Sequence, residues 1–105
     1  MEFVETSIFR QFFKGELGED GLRALQSDLV DNPALAPIMR GSGGARKLRW
    51  AARGSGKRGG YRIIYFYSPS EQRCYLLLGF RKGEQDNLTT EQLNTLREYI
   101  KRHLL

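Results

Sequence analysis

Tyr61-Arg62-Ile63-Ile64-Tyr65-Phe66-Tyr67 is the stretch on which the fold turns. It is β-branched and aromatic almost throughout, the composition of a central strand. Cys74 to Phe80 has the same character, and Ser68-Pro69-Ser70 supplies the turn between the two. Upstream, Arg46 to Ala51 alternates, with Leu48 and Trp50 pointing one way and Lys47 and Arg49 the other. Three consecutive strands joined locally predict an antiparallel sheet, with one face for helices and the other open.

The flanks supply the helices. Phe3 and Val4 read as a short first strand. Thr6 or Ser7 then caps a helix with Ile8, Phe9, Phe12 and Phe13 on one side, ended by Gly15 and Gly18. A second helix is expected from Asp20 to Asp31, carrying Leu22, Leu25 and Leu29, and Asn32-Pro33 stops it. Thr89 and Gln92 form a capping-box pattern at the start of a last helix. Its stripe is Leu93, Leu96, Ile100 and Leu104, and Lys101, Arg102 and His103 lie in its final turn, where cations suit the helix dipole. The expected fold is α+β in the order β-α-α-β-β-β-α. It comprises a small antiparallel sheet, two N-terminal helices packed on one face, and a C-terminal helix.

At 105 residues the chain is read as a single domain spanning 1–105. No run approaches the length of apolar sequence that a membrane span needs. The opening Met1-Glu2-Phe3-Val4-Glu5 has no signal-peptide pattern. One cysteine, Cys74, has no partner for an internal disulfide and no metal-ligand neighbour in the sequence. The expectation is a cytoplasmic protein with no membrane, metal or cofactor, monomeric when alone.

The net charge of +5 is unevenly spread. Between Arg40 and Arg62 lie eight basic residues (Arg40, Arg46, Lys47, Arg49, Arg53, Lys57, Arg58 and Arg62) and no acidic one. Such a block presents an uncancelled field to a polyanion. The bland alternative is a solvated loop. Within the block, Gly54-Ser55-Gly56-Lys57 has the look of a phosphate-binding P-loop, but Ala51 stands where the motif needs glycine and Arg58 where it needs Ser or Thr. Four glycines and three cations between Arg53 and Gly60 instead suggest a hairpin loop gripping a nucleic-acid backbone. The competing reading is a connector whose charges serve solubility.

With His103 the only histidine, near the chain end, neither a Ser-His-Asp nor a Cys-His arrangement nor a histidine metal site can be assembled. Any chemistry must use Lys, Arg, Tyr and Glu. RNA cleavage by attack of the 2′-hydroxyl on its own phosphodiester suits that set. Arginine and lysine stabilise the phosphorane, and a lysine of lowered pKa moves protons.

Gly41-Ser42-Gly43-Gly44-Ala45-Arg46-Lys47-Leu48-Arg49 closely resembles the G-x-G-G-x-R-K-x-R segment of HigB-like toxins. Gly59-Gly60-Tyr61-Arg62-Ile63-Ile64-Tyr65 and Leu78-Gly79-Phe80-Arg81-Lys82-Gly83-Glu84 extend the likeness. Together they resemble the RelE/ParE superfamily of bacterial toxin–antitoxin systems over most of the chain. The resemblance implies an mRNA interferase that cuts translated mRNA in the ribosomal A site and is neutralised by a cognate antitoxin, often a helix-turn-helix protein. It also implies roles: Arg62 as the phosphate-stabilising arginine, Lys47 and Arg49 as basic strand residues facing the scissile region, and Lys82 as the basic residue after the last strand. Arg46, Arg53, Lys57, Arg58 and Arg81 would bind RNA. Some relatives carry a tyrosine near the cut site; Gln85-Asp86-Asn87-Leu88 has none, leaving Tyr61, Tyr65 or Glu84 as substitutes.

Two other functions remain open at this stage: a ParE-like gyrase inhibitor that cleaves nothing, and a non-catalytic ribosome- or RNA-binding module. The basic strand residues favour RNA over gyrase.

Overall fold

The computed structural model describes residues 1–51, 60–85 and 87–105. Its elements are β1 (Glu2–Glu5), α1 (Ser7–Glu16), α2 (Gly18–Asp31), β2 (Arg46–Ala51), β3 (Gly60–Ser68), β4 (Arg73–Arg81) and α3 (Thr90–His103), the expected order. Thr6 caps α1, its hydroxyl accepting from the Phe9 amide at 3.0 Å while donating to the Leu77 carbonyl at 2.6 Å, so the cap also fastens the helix to the sheet. Gly18, at φ +68°, makes the break between the helices. Consequently α2 begins there rather than at Asp20, and Gly15 sits inside α1. The capping box at Thr89 and Gln92 forms as read.

The four strands lie in the order β1-β4-β3-β2. Strands β2, β3 and β4 pair antiparallel, as expected of local connections. The sheet is nevertheless mixed, because β1 joins β4 in parallel, Glu2 opposite Arg73 and Glu5 opposite Leu76. The reason lies in the connection: α1 follows β1 directly, and α1 and α2 carry the chain across one face to the far edge. The first strand is therefore never part of a hairpin.

Both faces of the sheet are covered, which corrects the expectation of an open face. On one, α1 and α2 set Phe9, Phe13, Leu25 and Leu29 against Leu48, Trp50, Ile63, Tyr65 and Leu76. On the other, α3 sets Leu96 and Ile100 against Ala45, Ile64, Phe66 and Leu77. A central strand apolar on both sides needs two covers, and the stripe of α3 is the second.

One irregularity decides the site. Tyr65 pairs with Leu76 but Ile64 pairs with Leu78, so Leu77 is an extra residue, a bulge in β4. Beyond it the alternation inverts. Gly79 and Arg81 turn toward α1, where Gly79 meets the Phe12 ring and Arg81 meets Glu16. Leu78 and Phe80 join the α3 side.

Candidate functional site, a cationic sheet face

On the α3 side, toward the ends of β2 and β3 away from the α3 packing, the sheet carries cations where a core strand would carry apolar groups. Arg62, only 8% exposed, lies on central β3 between Arg49 of β2 and Phe80 of β4, its two register partners. Like charges directly opposite on neighbouring strands repel, so the Arg49–Arg62 pair is held by the sheet against its own electrostatics. Among the described residues the Arg62 guanidinium makes a single long hydrogen bond, Nη1 to the Tyr61 carbonyl at 3.4 Å. None of its nitrogens is both buried and unpartnered, so the rest keep access to the face.

Two lysines frame this pair. Lys47, two residues before Arg49 on the same side of β2, donates from Nζ to Asn87 Oδ1 at 2.8 Å. Its ammonium is thereby pinned to the segment that leads into α3. Lys82 follows β4, its amide donating to the Gly60 carbonyl at 2.9 Å. A Cβ on Gly60 would stand 3.4 Å from Cβ and Cδ of Lys82 and 3.8 Å from Nη1 of Arg62. Lys82 and Arg62 therefore border the same glycine. Among the described residues no carboxylate pairs with Arg62, Arg49, Lys47 or Lys82. In an ordinary stable surface the charges of such a group would be interleaved with acids.

The structure thus brings together Arg62, Arg49, Lys47 and Lys82, and it sets two other sequence candidates apart. Arg46 lies on the α1–α2 side and donates from Nη1 to the Ala36 carbonyl at 2.6 Å. Arg81, turned by the bulge, binds Glu16 through Nε at 2.6 Å. That bond holds the Glu16 carboxyl below its ordinary range and raises the guanidinium of Arg81. Arg53, Lys57 and Arg58 lie outside the described residues.

The suggested stand-ins for a missing tyrosine also fall away from the cations. Tyr65 is buried against α2, donating to the Pro33 carbonyl at 2.8 Å and accepting from the Ala36 amide at 3.3 Å; burial raises its hydroxyl pKa. Tyr61 faces Phe12 and Glu16 on the same side, and burial raises it likewise. Glu84 folds back onto the Arg81 amide. The odd-numbered residues of β3 face the helices, so neither tyrosine can cross the sheet to Arg62. Sequence reasoning missed Gly60 and Asn87, which position Lys82 and Lys47. Their only sequence signal is location, one at the start of the decisive strand and the other just before the last helix.

Residues 35–105, from the end of the helical pair through β2, β3, β4 and α3, match the family described as the RelE toxin of the RelE/RelB toxin–antitoxin system. The chain belongs to the RelE toxin family. All four converging cations fall within that match. Two solved structures share the fold. One is the E. coli toxin RelE in the free state, as a double arginine-to-alanine variant: 14% identity over 98% of this chain and 97% of that one, with TM-score 0.60. The other is the intact E. coli RelBE toxin–antitoxin complex, at 16% identity over 77% of this chain and 95% of the matched one, with TM-score 0.57. At such identities the likeness establishes a shared RelE architecture, three helices and a four-stranded mixed sheet. Among the described residues of this RelE-family chain, no helix is long and apolar enough to cross a membrane.

Proposed function

We propose that this RelE-family toxin is a HigB-like, ribosome-dependent endoribonuclease that cuts translated mRNA in the A site and is restrained by a cognate antitoxin of the helix-turn-helix kind. The observation that carries the reading is Arg62, a residue only 8% exposed and with no carboxylate partner among the described residues, flanked by Arg49 and bordering the same glycine as Lys82. Withdrawing a charge from water without a counter-ion is costly. A phosphodiester seated there supplies the missing anion, and its charge grows as the phosphorane forms, when the donors act most strongly.

In this scheme the RNA 2′-oxygen attacks phosphorus and its proton passes to a base. The bond to the 5′-oxygen breaks, and that oxygen takes up a proton. Arg62 holds the equatorial oxygens. Lys82, exposed at the edge beside Gly60, handles the proton at the leaving oxygen. Arg49 and Lys47 hold the flanking backbone. No group here requires a metal ion. The set lacks an imidazole or carboxylate base, so much of the acceleration must come from the ribosome holding the mRNA in a bent, reactive geometry. That supports the requirement for translation.

The antitoxin finds support in the family match and in the RelBE complex of the same fold. The test is induced expression of the wild type and Arg62→Ala, with primer extension on a translated message and on the same message lacking its start codon. Cuts within codons of the translated copy are expected for the wild type, with a loss of roughly 10²–10³-fold in the variant. Unchanged cutting by the variant overturns the role of Arg62. Cutting of the untranslated copy overturns the ribosome requirement, and arrest of supercoiling with no mRNA cuts moves the reading to gyrase.

A further inference from the structure

Beside Lys47 the cationic face runs into a hollow of about 310 Å³ between the 37–40 segment and the start of α3. Its walls are aliphatic: Pro37 and Met39 on one side, Leu88 and Leu93 on the other. Arg40 and Lys47 stand on its lining, and among the described residues no carboxylate does. Three other hollows each carry at least one acid: Glu16 and Glu84 between α1 and β4, Glu91 between α1 and α3, and Glu71 beside the β3–β4 turn. The rim is built rather than incidental. The Met39 amide donates to the Ala45 carbonyl at 2.7 Å, Ile38 bridges Arg46, and the Lys47 amide donates to the Pro37 carbonyl at 3.3 Å, so an isolated bridge fastens the segment to the edge of β2. By that register Pro37 and Met39 share the Lys47 side, and Pro37 is exposed there.

We propose that this hollow is a nucleobase subsite: it receives one unstacked base of the RNA strand whose phosphates lie along Lys47, Arg49 and Arg62. The proposal rests on the RNA-cleavage reading above and extends it. Its geometry follows from the strand. Lys47 and Arg49 are two residues apart on one face, about 7 Å, the scale of one extended nucleotide step. A phosphate on Lys47 therefore leaves its base beside the aliphatic walls. Flat apolar surface suits the faces of any base, since recognition of single-stranded RNA proceeds by splaying bases out and packing them on side chains. Asn87 closes the inner edge. Its Oδ1 is engaged by Lys47, which turns the amide nitrogen, a double donor, toward acceptors on a base edge. Arg40 at the opposite side offers a guanidinium plane for stacking or for a following phosphate.

The test uses the four nucleoside 5′-monophosphates as probes and ribose 5-phosphate as the control without a base. Methyl and amide NMR shifts are followed on the purified full chain and on Pro37→Trp. The substituted side chain is exposed, so the new indole fills the mouth without disturbing the rim's backbone bonds. Nucleotides are expected to shift the methyls of Met39, Leu88 and Leu93 together with the amides around Lys47, while ribose 5-phosphate shifts the cationic face only. Pro37→Trp should weaken nucleotide binding at least about fivefold and leave ribose 5-phosphate binding unchanged. Nucleotides that shift Lys47 and Arg62 but leave the methyls still would overturn the base subsite and spare the phosphate reading. If neither probe shifts the cationic face, both readings fail.

Discussion

Replacing Gly79 by alanine tests how closely α1 sits on the sheet. A Cβ there would lie 2.5 Å from Cδ2 and 2.8 Å from Cζ of Phe12, and closer still to Cε2. Ordinary carbon contacts fall near about 3.5–4.0 Å, so the ring must retreat by about 1 Å. Its neighbours oppose that. Tyr61 meets it edge-on at 5.6 Å between centroids, and Phe9, fully buried, lies at 5.8 Å. Overpacking of this kind costs about 1–3 kcal/mol, and each kcal/mol lowers the thermal midpoint by roughly 4–8 °C for a domain near this size. Urea denaturation followed by far-UV circular dichroism measures the loss. The decisive comparison places Gly79→Ala in a Phe12→Ala background. With the ring gone the new methyl has room, and alanine's smaller unfolded-state entropy should stabilise by about 0.4–1 kcal/mol where the backbone accepts it. The sign of the effect is thus expected to change between backgrounds. An equal loss in both would refute the argument, because the cost could not then come from the Phe12 ring.

Three further outcomes follow from buried groups. Tyr65→Phe leaves the Pro33 carbonyl and the Ala36 amide without their partner. It should cost about 1–3 kcal/mol in urea denaturation, and an unchanged midpoint would count against the phenol as the clamp between β3 and the chain after α2. Cys74 is fully buried, and burial pushes its thiol up to about 12. A thiol reagent at pH 8 should therefore fail to label the folded protein and label it fully in urea. Because the folded value lies above the unfolded one, the stability linked to this thiol is complete below the unfolded pKa and is lost as pH rises toward about 12. Tyr61 and Tyr65, also raised, act in the same direction. A midpoint that stays level or climbs on the alkaline side would contradict the burial of all three.

Much of the site was legible because its residues alternate with a core. Lys47 and Arg49 interrupt Leu48 and Trp50, and Arg62 interrupts a run that is otherwise apolar and aromatic. A period of two is enough to set them on one face. Arg46 and Arg81 were misgrouped for different reasons. Arg46 belongs to the run of basic residues by composition, yet its parity on β2 matches Leu48, and it is used to hold the Ala36 carbonyl. Arg81 and Lys82 are adjacent, and only the bulge at Leu77 decides which of them shares a face with Arg62. Charge cannot distinguish them.

By itself, then, the sequence determined the element order, the helix caps and, by periodicity, the shared face of Lys47, Arg49 and Arg62, with Lys82 supplied by the family resemblance. These depend on local periodicity and on backbone chemistry within a few residues. The tertiary structure alone decided that β1 runs parallel to β4, that α3 covers the second face, and that Lys82 rather than Arg81 joins Arg62. It also brought Gly60 and Asn87 to the lysines they position. Each of these depends on register between segments far apart in the chain, where one extra residue reverses the direction of every side chain beyond it.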